Sequence, residues 1–229
     1  MLTAGGLLTG MRLIAPVLPG ILVYALAFGT AAVERGLTFG EAVAMSAFVY
    51  AGASQMISLE LWRTAWSPAA LATLALVTAT VNARFVLMGA SLQPWTRGAP
   101  AGRTLVGLFF LVDANWLVGT RYHEEGGRDL GVVLGAGLLC WVVWVAATIP
   151  GYWLGSLVSE PRRYGLDLVL PIFFAAMAAT LWRGVLASAL PWGVAALVAL
   201  AVQALVPGYA FIVAGALAGA LTGALVREP

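Results

Sequence analysis

Long stretches almost without charged side chains dominate this sequence. One of them runs from Phe39 to Leu59 and carries Glu41 as its single charge. About 20 apolar residues in a helix are enough to cross the hydrocarbon core of a bilayer. Only 10% of the chain is charged and 62% is hydrophobic, whereas about 25% of a soluble protein is charged. The sequence therefore predicts an all-α polytopic membrane protein.

The apolar stretches predict about eight transmembrane helices in a single integral membrane domain over residues 1–229. Seven helices also fit, because the turn between the last two stretches contains no charge. Pro16 and Pro19 predict a kinked or interrupted start of the first helix. The predicted spans are residues 13–33, 39–59, 69–92, 104–118, 130–154, 166–182, 191–206 and 209–226.

Two patterns concern how these helices are arranged. A Val-Leu-Pro sequence occurs at Pro19 and again at Pro171, which suggests an inverted repeat with broken helices, as in many transporters. Gly215, Gly219 and Gly223 lie four residues apart and predict close helix packing, within the protein or against a second subunit. Arginines divide six to five between the two sides. This leaves the orientation open, as expected for dual topology, a re-entrant segment or a count that is off by one.

Several kinds of site are not expected. With one cysteine, Cys140, and one histidine, His123, the chain has neither an internal disulfide nor the usual ligands of a metal site. Cys140 is predicted to be an inert buried thiol, and His123 to lie in a loop. No glycine-rich phosphate loop occurs, so neither ATP hydrolysis nor a bound cofactor is expected. The few, dispersed basic residues do not indicate nucleic-acid binding.

Two charged residues lie well within predicted spans and away from the span ends, Arg84 in the third and Asp113 in the middle of the fourth. Charges in hydrocarbon are costly and usually pair or serve a function. One interpretation is a fixed ion pair. The other is that Asp113 exchanges a proton, or separates from Arg84, during a transport cycle driven by the proton gradient. Asn82 and Asn115 are offset from these charges, which spreads polar groups over a wide arc and favours a cavity.

The residues from Ala51 to Gln55 are small and then polar. They are interpreted either as a packing surface in which Ser54 and Gln55 hydrogen-bond between helices, or as a break near Gly52 that offers backbone groups to a substrate. The candidate substrate-binding residues are Gly52, Ala53, Ser54, Gln55, Asn82 and Asn115. The candidate coupling residues are Arg84 and Asp113.

Two alternatives to transport remain open at this point. Asp113 and Asp167 are the pair of aspartates that an intramembrane aspartyl protease requires, but Gly165-Leu166-Asp167 lacks the second glycine of that motif. Asp167 also fits the role of a helix N-cap. The other alternative is a channel or a membrane subunit without a substrate of its own. An enzyme is not the expected result.

A collinear set of motifs resembles the AzlC family, the large subunit of branched-chain amino acid exporters. The resemblance covers residues 16–182 in order. It rests on Gly36–Ala42 followed by Ala51–Gln55, on Asn82–Met88, on Leu111–Asp113, and on Gly165–Asp167 with Pro171–Phe173.

The resemblance implies a secondary transporter in the bacterial cytoplasmic membrane. It implies export of valine, leucine or isoleucine, with methionine as a further candidate, and a small hydrophobic partner subunit of the AzlD type. The family often has Asp-Glu where this chain has Asp113-Ala114. That difference bears on coupling or substrate choice if the glutamate contributes to them.

Overall fold

Apart from connecting turns, the described chain is helical in the computed structural model. The structure describes residues 2–62, 67–157, 182–206 and 210–226, together with residues 168, 172, 175, 178 and 179. These residues contain no strand, so the predicted all-α class is confirmed. Most of the predicted sixth span lies outside them, including Asp167 and Pro171, and so does Gly165.

Eleven α-helices can be delimited in the described residues. Four helical segments, Ala4–Glu34, Pro68–Ser91, Gly131–Leu157 and Val185–Leu205, are long and apolar enough to cross a membrane. A 3₁₀ turn, Ala15–Val17, joins the first two helices, and a π-helical turn, Val185–Ala189, precedes the tenth. The helices are α1 Ala4–Ile14, α2 Leu18–Glu34, α3 Phe39–Phe48, α4 Gly52–Glu60, α5 Pro68–Ser91, α6 Gln93–Thr96, α7 Ala101–Phe109, α8 Asp113–Glu124, α9 Gly131–Leu157, α10 Leu190–Leu205 and α11 Ala210–Leu225.

The centre of the fold is the packing of α1 and α2 against α9. The helices run parallel, since Thr3 lies beside Asp129 at one end and Thr30 donates a hydrogen bond to the Gly151 carbonyl near the other. Their backbones nearly touch, because a Cβ added to Gly10 would lie 2.0 Å from the Val132 carbonyl oxygen. Small residues at such a crossing allow the van der Waals contact that drives helix association in membranes.

Helices α3 and α4 form a hairpin that enters and leaves at the same end of the molecule, here called the Glu60 end. Arg35, directly after α2, forms an ion pair with Glu60, the last residue of α4. Between these points the chain descends along α9. Tyr152 donates a hydrogen bond to the Leu37 carbonyl, Ser46 and Thr148 are joined by one, and Tyr50 donates one to the Gly137 carbonyl.

Helices α7 and α8 form a second hairpin from the opposite end, here called the Asp129 end. Trp95, which precedes α7, stacks on His123 in the last turn of α8, with ring centroids 4.4 Å apart. Asn115 donates a hydrogen bond to the Val133 carbonyl in the first turn of α9. The tip itself lies one turn further along, since a Cβ added to Gly137 would lie 2.4 Å from the Phe110 carbonyl oxygen. The two hairpins thus point at each other from opposite ends of α9, which is roughly 40 Å long at 1.5 Å per residue.

The predicted second and fourth spans are therefore wrong as membrane crossings. The chain of each turns back halfway, at residues 49–51 and at residues 110–112. The expected break near Gly52 is present, whereas the break at residues 110–112 was not predicted. Hydropathy measures whether a segment resides in hydrocarbon and not whether it reverses there. His123 also differs from the prediction, since it lies within α8 and is 5% exposed.

The last two helices pack through the predicted glycine pattern. Helices α10 and α11 lie side by side, and a Cβ added to Gly215 or Gly219 would lie 2.9 Å from an Ala195 atom. The prediction of small-residue packing is confirmed, and the partner is a helix of the same chain.

Asp129 fastens the N-terminus to the start of α9. Its carboxylate accepts hydrogen bonds from the Thr3 hydroxyl, from the Thr3 backbone N–H at 3.2 Å and from the Gly131 N–H at 2.8 Å. Partial burial acts to raise the pKa of Asp129, but the hydrogen bonds from Thr3 and Gly131 outweigh it and hold this pKa below its usual range. The hydrogen bonds of the Asp129 carboxylate therefore contribute fully to the free energy of unfolding at neutral pH. This contribution is lost as pH falls through the lowered pKa of Asp129.

We expect Asp129→Ala to lower the melting temperature in detergent at pH 7 by roughly 2–4 °C, the shift that corresponds to a lost cap of about 1 kcal/mol. The difference from the wild type should shrink as pH falls below about 4, where carboxylates become protonated. Glu124→Ala, at an exposed position of α8, is the matched control and should change the melting temperature little. An equal effect of both variants at pH 7 would contradict the tether.

Candidate functional site

The tips of the two hairpins meet at a small pocket in the middle of the bundle. Its volume is about 50 Å³. The first residues of α4 and of α8 face it from opposite directions, α5 contributes its charged residue, and α2 and α9 close the remaining sides. The pocket is lined by Ile21, Tyr24, Tyr50, Gly52, Ala53, Arg84, Phe85, Val112, Asp113, Ala114, Cys140 and Trp144.

The tip of the first hairpin is a turn stabilised by polar side chains. Tyr50 has a φ of 45°, a left-handed conformation that is unfavourable for a bulky residue. The turn is held because Gln55 accepts a hydrogen bond from the Ala51 N–H at 3.2 Å and Ser54 donates one to the Ala51 carbonyl at 2.9 Å. Gln55 is fully buried. Its amide nitrogen has no hydrogen-bond partner among the described residues.

The tip of the second hairpin uses the same device with a different residue. Asn115, also fully buried, accepts a hydrogen bond from the Val112 N–H at 2.7 Å. Its amide nitrogen donates to the carbonyls of Phe110 and Val133, both at 3.0 Å. An amide side chain in the first turn of each half-helix thus binds back to the residue before the helix.

This arrangement presents two helix N-termini to one pocket. The first N–H groups of a helix have no carbonyl partner within it, and the aligned peptide dipoles place a partial positive charge there. Gly52, Ala53 and Ala114 belong to the first turns of the two helices and line the pocket, so their N–H groups are among those without a carbonyl partner in the helix. Such groups bind carboxylates well.

The charge in the pocket comes from an ion pair. Arg84 of α5 contacts the Asp113 carboxylate at 3.0 Å, as one interpretation of the sequence required. The two side chains are 28% and 14% exposed, so neither is fully buried. Asp113 was predicted to lie in the middle of a span. It is instead the first residue of α8, where the helix dipole stabilises its negative charge.

Aromatic side chains form the wall beside Gly52. Tyr24 and Trp144 make an edge-to-face contact with centroids 5.0 Å apart, and Phe28 stacks behind Trp144. A Cβ at Gly52 would lie 2.9 Å from Cη2 of Trp144 and 3.0 Å from Cε1 of Tyr24. Only glycine therefore leaves the start of α4 in contact with the rings. The indole Nε1 of Trp144 has no hydrogen-bond partner in the part of the chain that the structure describes.

The structure brings together some of the predicted site residues. Gly52, Ala53, Arg84 and Asp113 line the pocket. Ser54, Gln55 and Asn115 lie directly behind it, where their hydrogen bonds shape the two tips. Asn82 does not line the pocket, although it is one half-turn from Arg84 on the same helix. Ser54 and Gln55 hydrogen-bond to Ala51, just before their own helix, and not to another helix as the packing interpretation expected. Asn115 does bond to another helix, α9.

Sequence reasoning missed the aromatic wall and Tyr50. Tyr24 and Trp144 lie deep within their helices and are 4% and 5% exposed. Tryptophan and tyrosine in membrane proteins usually lie near helix ends, at the interface. A tryptophan fourteen positions into the 27-residue α9 is therefore a signal that was available. The predicted burial of Cys140 is confirmed, at 1% exposed, and its side chain borders the same pocket.

The polar and apolar groups that line the pocket suit a small zwitterion. The pocket combines backbone N–H groups for a carboxylate, the Asp113 carboxylate for an ammonium group, and the apolar surfaces of Ile21, Phe85 and Val112. Among the described residues, no cluster of histidine, cysteine, aspartate and glutamate could hold a metal ion.

The comparisons with known proteins return one finding. The family model described as AzlC protein matches residues 16–158. That region contains both hairpins, Arg84 and the pocket, and covers more than half of the 229 residues. No curated protein and no solved structure matches the chain.

Proposed function

Since the chain belongs to AzlC, a family of branched-chain amino acid transport proteins and not of enzymes, we propose that it is a secondary transporter that exports valine, leucine and isoleucine, and also methionine. In this proposal a single domain over residues 1–229 acts in the bacterial cytoplasmic membrane and is driven by the proton gradient. The observation that carries the proposal is the meeting of two opposed hairpin tips at a charged pocket.

The substrate is held by its two charged ends. Its carboxylate lies at the start of α4, against the N–H groups of Gly52 and Ala53. The Nε1 of Trp144, whose ring edge lies beside Gly52, is a further donor. The ammonium group of the substrate approaches Asp113, and the branched side chain of the substrate contacts Ile21, Phe85 and Val112. An apolar surface with few polar groups is the usual composition of a small-molecule site.

Transport requires the pocket to change size. Typical ligand pockets measure roughly 300–1,000 Å³, whereas this one measures about 50 Å³. The structure thus corresponds to a closed state, and one hairpin tip must withdraw before a substrate enters from its end. Two hairpins from opposite ends provide one gate for each side of the membrane. This is the minimum that alternating access requires.

The Arg84–Asp113 pair couples the cycle to protons. When Asp113 is ionised it pairs with Arg84, and when it is protonated or bound to the substrate ammonium the arginine is released. Moving one charge through the membrane potential is worth about 2.3 kcal/mol per 100 mV, which makes such a residue able to drive export. The AzlD-type partner is part of the proposal, and membership in the family supports it.

Efflux of labelled valine from proteoliposomes tests the proposal, with the chain alone and with an AzlD-type subunit. We expect saturable valine counterflow, and net valine efflux that an imposed pH gradient accelerates. Unlabelled leucine and isoleucine should inhibit both. Lysine and glutamate should inhibit little, because the charge on their side chains would lie against the apolar surfaces of Ile21, Phe85 and Val112. Absence of counterflow in both preparations would contradict a transport function.

A further inference from the structure

A second and larger cavity lies at the Asp129 end, outside the central pocket. Its volume is about 380 Å³, and it is enclosed by the end of α5, by α7 and by the start of α9. Its α7 wall is one helical face, since Arg103 and Gly107, like Thr104 and Leu108, lie four residues apart, and Leu111 lines the cavity just beyond the end of α7. Most of the surface that lines it is apolar.

Helix α7 stands away from the rest of the protein around this cavity. None of its residues is buried, whereas the corresponding arm of the first hairpin, α3, buries Ala42 and Ser46 against its neighbours. A Cβ added to Gly107 would meet nothing within 4 Å, although Gly107 faces the cavity from the middle of α7. An apolar space of this size is expected to hold an apolar ligand.

The rim of the cavity is basic. Arg97 and Arg103 are both exposed lining residues, and neither forms an ion pair with the described residues. Pro100 precedes α7 without a side-chain hydrogen bond to its N-terminus, so the helix dipole adds partial positive charge at the same place. Trp95, beside the two arginines, is typical of the membrane–water boundary.

The chemistry of the lining selects between possible ligands. No aspartate or glutamate is among the described residues that line the cavity, so these residues offer no carboxylate to the ammonium group of an amino acid. A molecule with an anionic head and an apolar tail matches both the rim and the interior. Basic pockets between membrane helices near the surface bind the headgroups of anionic lipids.

We propose that this cavity binds one anionic phospholipid, independently of the transported substrate. The phosphate lies between Arg97 and Arg103, and one acyl chain extends past Leu108 and Leu134 to Leu111. Leu111 directly precedes the tip residues Val112 and Asp113 of the second hairpin. A bound acyl chain therefore packs against α7 and the hairpin tip. It contacts the hairpin arm that has no buried residue of its own.

The test uses the full chain, purified in mild detergent and stripped of lipid. An equimolar mixture of phosphatidylglycerol and phosphatidylcholine with identical acyl chains is added, and the bound lipids are counted by native mass spectrometry. We expect phosphatidylglycerol adducts to exceed phosphatidylcholine adducts about tenfold, since each basic contact favours an anionic headgroup. Equal amounts of the two adducts would overturn the proposal.

Two variants distinguish recognition of the lipid headgroup from binding of its acyl chain. Arg97→Gln combined with Arg103→Gln should bring the two lipids to similar occupancy. Gly107→Leu should remove most of both adducts, because its side chain fills the cavity. The matched controls are Arg128→Gln, an exposed arginine at the same end, and Gly102→Leu, in α7 but away from the lining. Both controls should retain the wild-type selectivity, and a double variant that retains it would overturn the proposal.

A competition in the wild type keeps the proposal testable if a variant fails to fold. A short-chain phosphatidylglycerol should displace the long-chain lipid, whereas glycerol phosphate, which has the head without the tail, should not. Displacement by glycerol phosphate would indicate a surface anion site, and displacement by valine would assign the cavity to the substrate. Either result would overturn lipid binding.

Discussion

Asp113→Asn is expected to lower pH-driven valine efflux at least about 100-fold, which corresponds to about 2.8 kcal/mol at 1.4 kcal/mol per factor of ten, while leaving valine–valine exchange within about tenfold of the wild type, since an ionisable carboxyl group inside the membrane is what a proton relay requires. Asparagine keeps an oxygen that accepts a hydrogen bond from the substrate ammonium group. It cannot gain or lose a proton, so the coupling step is lost. The measurement is labelled valine flux in proteoliposomes, with and without a pH gradient.

The double variant Asp113→Asn with Arg84→Gln distinguishes coupling from a fixed ion pair. Removing both charges relieves the uncompensated arginine, and the protein should regain its melting temperature. If the pair only stabilises the fold, efflux driven by the pH gradient should return with stability. If Asp113 carries the proton, efflux driven by the pH gradient should not return, even though the melting temperature does. Glu124→Gln, which removes an exposed carboxylate from the same helix, is the control and should transport normally.

Gly52→Ala is expected to lower valine efflux about 10- to 100-fold, because overpacking a closely packed site costs about 1–3 kcal/mol. The added methyl would lie 2.9 Å from Trp144 and 3.0 Å from Tyr24. It would push the start of α4 away from the aromatic wall and displace the N–H groups that bind the substrate carboxylate. The effect should be seen mainly as a raised KM for valine.

Gly40→Ala provides the matched control for this change. Gly40 also lies in the first turn of a helix of the same hairpin, but a Cβ there would meet nothing within 4 Å. Since alanine favours a helix over glycine by about 1 kcal/mol, this variant should be as stable as the wild type and fully active. Normal KM in Gly52→Ala would show that the start of α4 does not contact the substrate.

Residence in the membrane and helical class follow from the sequence alone. A chain with 62% hydrophobic residues has to satisfy its backbone polar groups internally in hydrocarbon, and helices do so within each segment. The positions of α5, α9 and α10 were predicted to within a few residues for the same reason. The charged residues were identifiable because a charge in hydrocarbon needs a partner, and Arg84 and Asp113 were the two that lay well within predicted spans, away from their ends.

Only the tertiary structure decided that two apolar segments turn back on themselves. The evidence lies in contacts between residues far apart in sequence, Arg35 with Glu60 and Trp95 with His123, which a hydropathy pattern does not contain. The same holds for Asn115, whose amide caps a hairpin tip and binds the Val133 carbonyl of α9.

The sequence by itself thus determined which groups must find partners, since burying a polar or charged group unpaired is costly whatever the fold. The tertiary structure decided which partners they find. It placed Gly52 against Trp144 and Asp113 beside Arg84 by bringing two hairpins together from opposite ends of α9. That meeting depends on long-range packing, which no local pattern of residues specifies.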